Sequence, residues 1–168
     1  MSIESKIQNL NNQQAVAIVK YITDSLMELV PENALPNQKD QKQAILDLFN
    51  EMKEDTSSLY SNEVITIDAI GTAAKNFLVL LSRTDDNAIL RELNEWLENP
   101  PIESKASLES LLMTMPIVIT GCLCLITVTS GIRYKKGEWV YDAKGSKTII
   151  RDNIRALKDI LKLGLSRT

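Results

Sequence analysis

Histidine is absent from all 168 residues. That absence removes any Ser/His/Asp or Cys/His nucleophilic system, every histidine-ligated metal site and the commonest general base near neutral pH. Cysteine is nearly absent too. The only two, Cys122 and Cys124, lie two apart, cannot bridge each other in an ordinary strand or helix, and give no framework for a secreted fold. Closing a zinc tetrahedron around them would take two further thiol or imidazole ligands, and apolar neighbours raise a thiol pKa rather than activate it. Both are expected to be small core residues. Glycine is scarce, and the nearest approach to a phosphate-cradling loop, GTAAK at 71–75, lacks the second glycine and the spacing of a P-loop and falls inside a helical pattern. Aromatic residues make up only 5% of an acidic chain, which argues against a nucleic-acid partner. No metal and no cofactor are expected.

What is present is ordinary globular composition, with 44% hydrophobic and 24% charged residues. The length suits one domain, 1–168, with one sizeable core. The start, MSIESKIQNLNNQQ, has an acid at Glu4 and no apolar core of the secretory type, so a mature chain beginning here and a cytoplasmic location are expected. Charge is unevenly spread: residues 1–132 carry 9 Lys and Arg against 18 Asp and Glu, residues 133–168 carry 10 against 4. An acidic body with a basic end suggests an acidic partner, a membrane surface or a topology signal.

Apolar spacing predicts about five helices within an acidic part, 1–115. Asn12 can cap a helix to about Val30 with Val19, Ile22, Leu26 and Leu29 on one stripe, and Pro31 and Pro36 bracket the loop that follows. A second helix, capped near Asn37, would bury Ile45, Leu48, Phe49 and Met52. After a connector, TSSLYSNE, a third runs from near Asn62 to about Ser82 with Ile67, Ile70, Ala74, Phe77, Leu78 and Leu81 on one face. Thr84 caps a fourth, with Asp85 and Asp86 in its first turn and Ile89, Leu93, Trp96 and Leu97 inside; NPP at 99–101 ends it. A fifth, from about Ser104, presents Leu108, Leu111, Leu112 and Met115.

Ser110 to Ile132 holds no charge at all. Beyond Pro116 it is rich in β-branched residues, and both alternating sets are apolar, so Ile117–Val128 is read as a strand covered on both faces. Such a lone long strand would want neighbours, which suggests self-association. Gly137 supplies a tight turn between Ile132–Tyr134 and Trp139–Tyr141, making 117–143 a strand and hairpin unit. By length alone the stretch is also a transmembrane candidate whose basic flank, Arg133, Lys135 and Lys136, would face the cytoplasm. Yet the 16 residues after Pro116 reach only about 24 Å as a helix, short of a hydrocarbon core of about 30 Å. A last, basic amphipathic helix spans 146–164, with Ser146 as cap and Gly164 as stop. The fold class is mainly α (α+β).

The sharpest functional signal lies in that helix. Lys147, Arg151, Arg155, Lys158 and Lys162 recur at spacings of 4, 4, 3 and 4, beside an apolar stripe of Ile150, Ile154, Leu157 and Leu161. Such a helix can dock its apolar side and offer the basic edge to an acidic partner, or merely pack with a solvated face. Paired acids, Asp85 with Asp86 or Glu92 with Glu95, could in principle serve as acid and base, although caps and solvent-facing positions explain them. The expectation is therefore a non-enzymatic interaction or adaptor module within a larger or self-associated assembly. Its rivals are a single-span or membrane-inserting protein using Ser110–Ile132 with a basic cytoplasmic tail, and a carboxylate-based or cofactor-dependent enzyme.

Overall fold

A computed structural model describes residues 1–31, 33–56, 65–101, 108–141 and 147–165. The connector after Thr56, the helix starts expected at Asn62 and Ser104, and the Ser146 cap lie outside these residues. Within them the chain is mainly helical with one small antiparallel hairpin, as the hydrophobic patterning predicts.

Helices α1, α2, α4 and α5 start where a side chain accepts from a free N–H group of the first turn, whereas α3 and α7 have no side-chain cap. In α1 (Ile3–Gln8) the Ser2 hydroxyl accepts from Ser5 N–H. In α2 (Asn12–Leu29) Asn11, one residue earlier than expected, forms a reciprocal capping box with Gln14. Helix α3 (Gln41–Glu51) follows a 3₁₀ turn at Gln38–Asp40 and buries Ala44, Ile45, Leu48 and Phe49. Helix α4 (Ile67–Leu81) begins at Thr66, whose hydroxyl accepts from Ala69 N–H at 3.1 Å. Ile65 and Thr66 are therefore not helical, which agrees with the poor fit of β-branched residues in a first turn. Helix α5 (Asn87–Glu98) is capped by Asp86 rather than Thr84.

The main correction concerns the charge-free stretch. Ile117–Val128 is not a strand: it belongs to α7 (Met115–Ser130), preceded by the short α6 (Leu108–Leu112). Pro116 does not divide a helix from a strand but occupies the first turn of α7, where its missing N–H would have had no intrahelical partner. Gly131, in the left-handed conformation at φ 63°, closes the other end. Two hydroxyls are absorbed by the helix itself: Thr120 donates to Pro116 O at 2.9 Å and Thr129 to Leu125 O at 2.6 Å. A helix that is apolar on every side shows the same two apolar alternating sets as a doubly buried strand, and burial overrides the local β preference. With no lone strand to complete, the argument for a second copy at its edges falls away.

Helix α7 is central. Helix α2 packs along it, α4 lies against α2, and α8 (Lys147–Leu165) covers another side of α7 while also touching α4. Val118, Ile119, Leu123, Leu125 and Ile126 of α7 share one buried cluster with Ile22 and Leu26 of α2, Phe77 and Leu78 of α4, and Ile150, Ile154, Leu157 and Leu161 of α8. Asn153 ties α8 to α7, donating to Thr129 Oγ1 at 2.8 Å and Ser130 Oγ at 2.7 Å. Gly164 does not stop α8, which runs through it to Leu165.

The hairpin forms where expected. Strands β1 (Ile132–Lys135) and β2 (Glu138–Tyr141) pair Ile132 with Tyr141 and Tyr134 with Trp139, across a turn with Lys136 and Gly137 at positive φ. Two contacts seat it: Trp139 Nε1 donates to Ala44 O of α3, and Tyr134 N–H to Ala34 O, both at 2.7 Å.

Candidate functional site: the basic edge of the last helix

Helix α8 exists as an amphipathic element because Ile150, Ile154, Leu157 and Leu161 recur every three or four residues and are buried. That packing fixes which way the five cations point. Lys147 and Arg155 are exposed; Arg151, Lys158 and Lys162 are half-buried. The spacing thus brings them to one edge, but the edge is not a row of equivalent free charges.

Its middle is held by one carboxylate. Glu54, just beyond α3, accepts from Arg155 Nε at 2.7 Å and lies 3.9 Å from Arg151 Nε. Arg151 Nε also donates to Met52 O at 3.3 Å, so its guanidinium anchors α8 to the end of α3. Glu54 is the more buried member: its side chain is 13% exposed, against 60% for Arg155. Lys147 Nζ lies 5.9 Å from the centre of the Tyr141 ring, a cation–π contact. Tyr141 in turn donates its hydroxyl to Glu51 Oε2 at 2.7 Å, and burial together with that carboxylate pushes the phenol pKa upward. The basic edge therefore borders an acidic line, Glu51 and Glu54, far from it in the sequence. Arg155 and Glu54 are 101 positions apart, and no periodicity links them.

Of the other residues singled out from the sequence, Asp86 and Lys75 have structural partners. Asp86 caps α5, its carboxylate accepting from Ile89 N–H at 3.0 Å, and Asp85 is exposed beside it. Glu92 is half-buried and Glu95 exposed on α5. Glu98, one turn on, pairs with Lys6 of α1, whose ammonium holds that carboxyl below its ordinary range, opposite to the shift a general acid requires. Lys75 of the GTAAK segment donates to Gln8 O at 3.0 Å and so ties α4 to α1. Cys122 and Cys124 are buried free thiols. Burial drives both thiol pKa values up, that of Cys124 to about 12, which suppresses the reactive thiolate. Among the described residues no group of three or more Cys, Asp or Glu side chains could hold a metal ion.

The charge-free helix has a second reading. The helical segment Glu109–Ser130 is 22 residues long and contains an 18-residue stretch with a mean hydropathy of 2.3, enough by length and composition to cross a membrane, yet 61% of that stretch is buried inside the protein. Comparison with protein-family models, curated proteins and solved structures gives no match.

Proposed function

We propose that the protein is a non-enzymatic interaction module of the cytoplasm, and that it engages an acidic protein partner through the basic edge of α8. The observation that carries this reading is the Glu54 arrangement. Arg155 is paired, yet its side chain remains largely in water, and an ion pair with an exposed member contributes only about 0.2–1 kcal/mol. A partner carboxylate can therefore replace or share Glu54 at small cost. Lys147, Lys158 and Lys162 extend the same edge and supply long-range attraction.

A fluorescent decaglutamate peptide is the probe. Its anisotropy should rise on titration with the protein, weaken steeply with salt, and vanish in the Arg155→Glu, Lys158→Glu double variant. Glu54→Gln, which unclamps the arginines, should tighten binding. Unchanged binding in the double variant, with circular dichroism intact, would remove the basic edge from consideration.

A membrane-inserting protein is the second reading, favoured by the length and hydropathy of Glu109–Ser130. It requires α7 to leave α2, α4 and α8. Flotation of the intact protein with anionic vesicles that resists carbonate extraction would support it over the first.

A further inference from the structure

Both arginines of the basic edge converge on a single atom. Glu54 Oε1 lies 2.7 Å from Arg155 Nε and 3.9 Å from Arg151 Nε, and Arg151 Nε also donates to Met52 O. A guanidinium carries five N–H donors, and here only the Nε–H of each has a partner among the described residues. The Nη groups of both are left over, on side chains 38% and 60% exposed. Neither Lys147 nor Lys158 offers such a fork, because an ammonium is a point charge without bidentate geometry.

Charge is left over as well. One carboxylate against two guanidiniums leaves one positive charge in excess, and Lys158 stands one turn beyond Arg155. A phosphate monoester brings about two negative charges and three acceptor oxygens, enough to meet both forks at once, where a further carboxylate brings one charge and two oxygens. A membrane of phosphorylated lipid fits less well. Asp152 and Asp159 are exposed on the same helix, and they repel an extended anionic sheet more than they repel one isolated group.

Resting on the reading that α8 engages an acidic protein, we infer that the group its basic edge selects is a phosphoserine or phosphothreonine of that partner, the phosphate spanning the Nη groups of Arg151 and Arg155 while Glu54 holds the two guanidiniums together through Nε.

The test sets decaglutamate against a fluorescent peptide of eight glutamates around a central phosphoserine, which carries nearly the same total charge at about pH 7.5. The phosphopeptide should bind about ten-fold more tightly, the worth of one further charge-assisted hydrogen bond. Arg155→Lys keeps the charge, loses the fork and leaves the Arg151 anchor on Met52 O in place. It should cut the preference to about two-fold or less while decaglutamate affinity holds. Equal binding of the two peptides by the parent, or an undiminished preference in Arg155→Lys, overturns the inference and leaves the acidic-partner reading standing; binding of neither peptide overturns both. Phosphatidic acid vesicles that displace the labelled phosphopeptide at a lower phosphate concentration than the unlabelled phosphopeptide does would assign the clamp to lipid and overturn the inference too.

Discussion

Substituting Gly121 by alanine tests whether α2 and α7 cross as closely as described. A methyl built on Gly121 would sit 2.6 Å from Thr23 Oγ1 and 3.3 Å from Phe77 Cζ. The first distance is well inside contact and something must move; the second asks the ring to give by a few tenths of an ångström. In an open helix the change would gain about 0.8–1.0 kcal/mol of helix propensity. Overpacking a closed core costs about 1–3 kcal/mol, so Gly121→Ala should lose up to about 2 kcal/mol net. Thr23→Ala forfeits one buried methyl, about 0.8 kcal/mol, but removes an unpartnered buried hydroxyl that costs about 1–3 kcal/mol. In the double variant the alanine methyl takes the space the hydroxyl vacates. It should match or exceed the parent, with a coupling energy of about 1–3 kcal/mol. Urea unfolding of the four proteins by far-ultraviolet circular dichroism measures this. Additivity to within about 0.5 kcal/mol, or a Gly121→Ala variant more stable than the parent by the full propensity gain, would refute the crossing geometry.

Two further outcomes follow from buried groups. The thiols of Cys122 and Cys124 have raised pKa values in the folded state, against about 8.5 when unfolded, so their contribution is complete below that pH and is lost as pH climbs toward the folded values. Tm should fall between about pH 9 and 11, by up to about 1.4 kcal/mol of stability per pH unit per thiol. Cys122→Ala should flatten the decline, and an identical decline would contradict the assignment. Trp139→Phe removes the buried indole donor to Ala44 O and should cost about 1 kcal/mol, or about 2–4 °C in Tm. No change by calorimetry would mean that bond does not seat the hairpin.

Much of the fold was legible because its helices are amphipathic: the stripes through Ile22 and Leu26, Phe77 and Leu78, and Ile154 and Leu157 are the faces found buried. The hairpin was legible from Gly137 between two strand-like runs. Helix α7 was not, because amphipathic contrast is the signal that separates periods of 2 and 3.6, and a segment apolar on every side has none. Two cues did point to a helix: its length exceeds that of a usual strand, and it has proline just inside its start and glycine just past its end. For the candidate site, spacing gave the basic edge of α8 but not its partner Glu54, which tertiary packing alone brings near. The burial of Thr23 against Gly121, 98 positions away, likewise gave no sign in the sequence, since tertiary packing alone brings the two together.

The chain order of the core has a consequence for synthesis. Helices α2 to α5 precede α7 and can receive it as it emerges, but Ile150, Ile154, Leu157 and Leu161 are translated after it. During that interval the side of α7 destined for α8 has no cover, and the segment meets the length and hydropathy of a membrane span. Its fate is then a contest of rates between docking of the last helix and capture by whatever surveys apolar segments on the ribosome. Slowing translation of the final codons, when α7 has left the ribosome and α8 has not, should send more of the chain to chaperones or membranes without altering a single residue of the product.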